Sequence, residues 1–240
     1  KQITWFVTNK CDLNCSHCGV SANQRKFKEI TLSDFINIIP KLKKIGVEYV
    51  TLSGGEPLLR KDINEIVDTL KENNFKVGMV SNGTKMQEFC SNFKKHKLDS
   101  LLISIDGLEE NHSKVRKSNT NFKKAIESIK IAKNSGIKMV SVNTCVFPEN
   151  INDLEQLKEL IFSQGLDQWT IRPVSPSGRA NNKAEYELSY HQIKELLLYV
   201  KTNVEKDFEI TVGSDLGYLG KLDSYLYLSP YFFSLGWNSM

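Results

Sequence analysis

The chain has 240 residues, 40% of them hydrophobic, which is enough to bury a sizeable core and falls within the span of a single α/β barrel domain. Its 32 basic and 28 acidic residues leave a net charge of +4 with no long single-sign block, so composition gives no support to nucleic-acid binding or to a membrane surface. No run reaches the roughly 18 consecutive apolar residues of a membrane helix, and the amino terminus lacks the basic-then-apolar layout of a signal peptide, so a cytoplasmic protein is expected.

Lys1 runs directly into Ile3, Thr4, Trp5, Phe6 and Val7 with no initiator methionine, and an upstream segment is expected to have been trimmed. From there, short β-branched and apolar runs alternate with longer amphipathic ones. Strands are expected at 2–8, 48–53, 75–81, 98–105, 137–146 and 167–172, with helices between them at 32–45, 62–73, 85–95, 121–135 and 151–163. Thr31 with Asp34 and Asn150 with Asp153 supply helix-start chemistry, and Gly46, Gly136 and Gly165 supply stops. Six strand-helix units joined by right-handed crossovers curl a parallel sheet into an open, partial (β/α)6 TIM-like barrel, with ligands at the carboxyl ends of the strands. A further helix is expected over 190–206, which divides the chain into a barrel over 1–180 and a C-terminal helical extension over 181–240.

Five cysteines are too few and too unevenly placed for a secreted disulfide framework. Cys11, Cys15 and Cys18 form a Cys-x3-Cys-x2-Cys run just after the first strand, where a loop can wrap a metal centre. Closed zinc sites and ordinary ferredoxin clusters take four protein ligands, so three thiolates leave one metal position open. A structural zinc site completed by His17 or His112 is the alternative use of the same thiols. Cys90 and Cys145 stand alone, as buried free thiols commonly do, although Cys145 ends a strand where it could reach a substrate.

Ser53, Gly54, Gly55, Glu56 and Pro57 follow the apolar strand ending at Leu52. Paired glycines let backbone approach a ligand closely, and a carboxylate beside strand-end carbonyls suits an ammonium group. The same residues also fit a tight turn before the next helix. Ser81, Asn82 and Gly83 end the third strand, and Ser104, Ile105, Asp106 and Gly107 the fourth, each again compatible with a turn. Ser141 and Asn143 are two apart on the fifth strand and share a face, which is expected to point into the barrel.

Taken together, the cysteine run and the Gly-Gly-Glu-Pro segment resemble the signature of the radical S-adenosylmethionine (SAM) superfamily, over roughly residues 3–180. The resemblance implies a partial barrel of six strand-helix units and a 4Fe-4S cluster on Cys11, Cys15 and Cys18, whose fourth iron chelates the amino and carboxylate groups of SAM. It implies cofactor contacts from His17 near the adenine and from Gly54, Gly55, Glu56 and Pro57 at the methionine end. Ser81, Asn82, Asn143 and Arg172 join these, with Ser104 and Asp106 near the ribose. His112 and Arg116 resemble the His-x3-Arg segment of members that modify peptides and proteins, with Arg116 on the SAM carboxylate, a group its fork suits.

Arg172 and the run Pro176, Ser177, Gly178, Arg179 and Ala180 resemble the stretch leading out of the barrel in the SPASM subgroup, whose C-terminal extension carries auxiliary clusters. No cysteine follows Cys145, so the chain is expected to be the catalytic barrel of a longer protein. The implied chemistry is reductive cleavage of SAM to a 5'-deoxyadenosyl radical that takes hydrogen from a substrate, with a flavodoxin- or ferredoxin-type electron donor. The implied substrate is a peptide or protein side chain. Small-molecule or cofactor biosynthesis is the alternative within enzymes, and a zinc-stabilised or non-catalytic binding module the alternative outside them.

Overall fold

The computed structural model describes residues 1–24, 28–91, 98–166, 168–203 and 208–213. Its strands are β1 (Gln2–Thr8), β2 (Tyr49–Gly54), β3 (Lys76–Ser81), β4 (Ser100–Ser104), β5 (Met139–Val146), β6 (Gln168–Pro173) and β7 (Glu209–Val212). The helices are α1 (Leu32–Lys44), α2 (Ile63–Glu72), α3 (Met86–Ser91), α4 (Glu109–Arg116), α5 (Asn121–Asn134), α6 (Leu154–Ser163) and α7 (Tyr190–Thr202). The strands pair in parallel in their chain order, giving one seven-stranded sheet with β1 and β7 at its edges. This is the expected partial α/β barrel.

Two elements were not expected. Of the eight residues of α4 only Val115 is apolar, and the face the helix buries carries His112, Val115 and Arg116, so hydropathy shows no period there. β7 spans four residues, too short for alternation to register, and it makes the extension beyond residue 180 part of the sheet as well as helical. The expected ends of helices at 95 and 206, the strand start at 167 and the segment after 213 lie outside the described residues.

Strand alternation divides the sheet into two chemistries. Val50, Leu52, Val77, Met79, Leu101, Ile103, Val142, Trp169 and Ile171 are buried in one continuous core with Phe35, Ile39, Ile66, Leu70, Ile129, Leu157 and Ile161 of the helices. A buried side chain of this kind contributes about 1.5–3 kcal/mol. α1 shows how the sequence sets this up: Thr31 caps it through the Asp34 N–H, Asp34 reaches back to the Thr31 N–H, and Phe35 stacks on Trp5 with ring centroids 4.2 Å apart. The opposite face carries Thr51, Ser100, Ser141 and Asn143, buried but polar. Among the described residues no helix is long and apolar enough to cross a membrane.

Candidate functional site

The cysteine loop leaves the end of β1 and is tied down by three separate stretches of chain. The first is the Gly-Gly-Glu-Pro segment: the Gly55 N–H donates to Thr8 O and the Glu56 N–H to Lys10 O, each at 2.8 Å. A Cβ on Gly54, whose φ is +140°, would lie 2.2 Å from Thr8 O, and one on Gly55 would lie 2.1 Å from Lys10 O. The paired glycines therefore admit the backbone that feeds the cysteines, and that requirement explains them ahead of any ligand. Pro57 is buried, opens the 3-10 turn Pro57–Leu59 and does not line the cleft.

The second stretch is α4, whose last turn presents Val115 O to both the N–H and the hydroxyl of Ser16. The third is the Ser-Gly-Arg turn. The Arg179 N–H donates to Cys18 O at 2.9 Å, its Nε to Cys15 O at 2.6 Å, and Nη1 to Ala22 O at 2.7 Å. Gly178 adopts φ +58°, and a Cβ there would stand 2.3 Å from Cys18 O. Tyr186 adds a hydrogen bond to Ser16 Oγ. The sequence singled out this turn but not Arg179 as a clamp, since nothing local in a chain announces a contact 164 residues away.

These supports place Cys11, Cys15, Cys18 and His17 around a cleft of about 160 Å³, together with Gly54, Gly55, Glu56, Ser81, Asn82, Ser104, Arg116 and Arg179. The thiols meet donors: Leu13 N–H to Cys11 Sγ at 3.4 Å, Ala22 N–H to Cys18 Sγ at 3.5 Å and Asn82 Nδ2 to Cys11 Sγ at 3.9 Å. Burial pushes the Cys11 thiol up to about 12, so binding a metal centre there displaces a proton. Glu56 is wholly buried and accepts from Ser81 Oγ at 2.9 Å, Asn82 N–H at 2.7 Å and Leu58 N–H at 3.2 Å. Burial outweighs these donors and raises its carboxyl to about 7.

Asp106, expected near a ribose, is 0% exposed and does not itself line the cleft. Its Oδ2 accepts from Arg116 Nε at 2.8 Å and lies 2.7 Å from Nη2 and 3.0 Å from His17 Nε2, while Oδ1 accepts from the Cys145 N–H at 2.9 Å. Burial opposes its ionisation, but the Arg116 and His17 charges hold its carboxyl well below the usual carboxylate range. His17 is likewise opposed by burial and raised above its ordinary value by Asp106. Arg116 thus reaches the cleft from a helix, already paired.

His112 is buried with both ring nitrogens engaged: Nδ1 accepts from the Asp106 N–H at 3.1 Å and Nε2 bonds Asn121 Oδ1 at 2.8 Å. Burial and the nearby Arg116 lower it to about 4, so it is neutral, and the bonds to the Asp106 N–H and to Asn121, not its charge, keep both nitrogens from a zinc ion. Asn143 and Arg172 lie on β5 and β6 and do not line the cleft. Cys90 is buried in the core, and Cys145 is half-buried at the end of β5.

The thiols fit a polynuclear cluster. Among the described residues the set of three metal-ligating atoms within 4.8 Å of one another is His17, Asp106 and Cys145, and Asp106 is already committed to Arg116. The three loop thiols are not such a set, whereas sulfurs around one tetrahedral zinc would stand about 3.8 Å apart. His17 Nδ1, buried and without a partner among the described residues, leaves a polar atom for a ligand beside them.

Fold and site define a partial barrel with a loop of three thiols beside a cleft at its strand ends. Residues 5–161 match the Radical SAM superfamily, and the chain belongs to that superfamily, whose cofactors are a 4Fe-4S cluster and SAM. It is 25% identical over 195 residues to an Fe-coproporphyrin III synthase of Methanosarcina barkeri, covering 80% of this chain and 49% of the relative. It is 27% identical over 178 residues to the mycofactocin maturase MftC of Mycolicibacterium smegmatis, covering 74% and 45%. The structure of Streptococcus suis SuiB bound to SAM superposes with a TM-score of 0.71 at 16% identity, over 93% of this chain and 51% of SuiB. The chain therefore spans about half the length of these relatives.

Proposed function

We propose that this chain is the catalytic barrel of a larger radical SAM enzyme that abstracts hydrogen from a peptide or protein side chain. The barrel would occupy residues 1–180, with 181–240 leading toward an auxiliary-cluster domain of the SPASM kind. When bound, the cluster and SAM supply an electron and a 5'-deoxyadenosyl radical, the electron coming from a flavodoxin- or ferredoxin-type donor. Cys11, Cys15 and Cys18 would hold the cluster. Arg179 and Val115 fix the loop that carries them, and His17, Ser104 and Arg116 offer polar groups to SAM.

The observation that carries the chemistry is the convergence of three thiols, Glu56 and two further strand ends on one cleft. The peptide reading is supported by a sheet whose edge strands β1 and β7 are not paired with each other among the described residues, and by the likeness to a maturase. A small-molecule substrate is the second reading, favoured by the likeness to a coproporphyrin synthase.

Anaerobic reconstitution with iron and sulfide, followed by reduction with SAM and assay for 5'-deoxyadenosine, tests the chemistry, with Cys15→Ala as control. A brown protein that makes 5'-deoxyadenosine only with all three cysteines supports it, and a colourless zinc protein sinks it. Deuterium passing from a labelled peptide into 5'-deoxyadenosine supports the substrate class. Turnover with a small metabolite while every peptide stays unchanged in mass and stereochemistry refutes that class alone.

A further inference from the structure

The face that brings Ser104 into the cleft continues across β5 and β6. Ser104 pairs with Asn143, Asn143 with Thr170 and Thr170 with Thr211, and one step nearer the carboxyl ends Cys145 pairs with Arg172. Residues two apart on a strand share a face, so Asn143, Cys145, Thr170 and Arg172 lie on the same side of the sheet as Ser104. The two threonine hydroxyls satisfy each other at 3.1 Å. On β5 and β6 two other polar atoms are unmet among the described residues. Asn143 Oδ1, on a residue 6% exposed, and Arg172 Nε are both buried without a partner among the described residues.

A buried donor and a buried acceptor left unmet on neighbouring strands are costly, and a ligand that meets both removes the cost. The buried carboxylate at the adjacent strand end is no help to Arg172, since Asp106 is committed to Arg116 and His17. On the β7 side Gly213 lies close against the guanidinium, for a Cβ there would stand 3.3 Å from Arg172 Nε and Nη2. Neither Asn143 nor Arg172 lines the cleft of the thiols, so the two form a patch beside it.

We propose that the carboxyl ends of β5 and β6 form a substrate subsite for a carboxylate, received by the fork of Arg172, with Asn143 Oδ1 accepting an adjacent amide N–H. An acidic side chain or terminal carboxylate of a peptide presents both groups, and for the amide part the proposal rests on the peptide reading above.

The test is equilibrium binding to the reconstituted protein of acetyl-Gly-Glu-Gly-amide, its Gln counterpart, and glutarate as a small-acid probe. The Glu peptide is expected to bind about ten-fold more tightly than the Gln peptide. That advantage should vanish in Arg172→Met and return in part in Arg172→Lys, while the SAM affinity shifts by less than about two-fold. Equal binding of the two peptides to the unaltered chain overturns the subsite whether or not any variant folds. A loss of SAM affinity of about ten-fold in Arg172→Met overturns it too, by making Arg172 a cofactor contact. Glutarate bound through Arg172 with neither peptide bound upholds the carboxylate site and refutes the peptide reading alone. None of these readouts needs SAM cleavage, so a failure of the radical chemistry registers separately.

Discussion

Replacing Asp106 by Asn leaves the Arg116 guanidinium, 7% exposed, without its counter-charge and deprives His17 of its acceptor. At 2.7 Å and an effective dielectric of about 20 the Asp106–Arg116 attraction amounts to about 6 kcal/mol before desolvation is subtracted. Stranding one member of such a buried pair costs about 3–5 kcal/mol. The assay is urea unfolding of the cluster-free, reduced protein. Asp106→Asn should lower its stability by that amount, and the double variant with Arg116→Met should lose less than the sum of the two single losses, because no charge is left alone. Asp106's carboxyl is depressed in the folded state, so its contribution is present above the ordinary value of 3.8 and is lost as pH falls below it. The gap between the unaltered chain and the variant should therefore narrow in acid. A cost under about 1 kcal/mol, or strict additivity in the double variant, refutes the view that this pair is the hub of the site.

Gly178→Ala should displace the cysteine loop, since its Cβ would meet Cys18 O at 2.3 Å, and should lower iron bound per chain after reconstitution while far-ultraviolet dichroism holds. Arg179→Leu removes charged donors from Cys15 O and Ala22 O, at about 1.5–3 kcal/mol, and should speed bleaching of the reconstituted protein in air; an unchanged rate counts against the clamp. Glu56 titrates at about 7 in the folded chain against an ordinary 4.5, so it holds its proton more tightly when folded. Its stabilisation is present below 4.5 and lost as pH rises through about 7. Relative to Glu56→Gln the unaltered chain should lose about 3 kcal/mol over that interval, measured by urea unfolding of the metal-free protein.

Much of this was legible because it is local. The thiol spacing sits within one loop, and the strand boundaries alone place Ser81, Asn82 and Ser104 at strand ends. What escaped is polar and buried. Asp106 and His112 stand out in the sequence as residues of the site's motifs, but their bonds to Arg116, His17 and Asn121 were not legible, because only the folded chain assembles those partners. The glycine pair was legible as a place of close approach. That the approaching atoms belong to β1's own continuation required the register of β1 against β2.

The long reach of the Arg179 clamp also has a meaning in time. The cysteines are made first, and the arginine that fixes their carbonyls follows 164 residues after Cys15. At about 5–20 residues per second the thiols wait on the order of 10–30 s on the ribosome before the clamp exists. During that interval they are an unfastened chelator open to zinc or to oxidation, so correct loading belongs after the barrel's last strands have formed. Expression under slow translation and high zinc should then give more mis-metallated chain than expression of the same gene under fast translation.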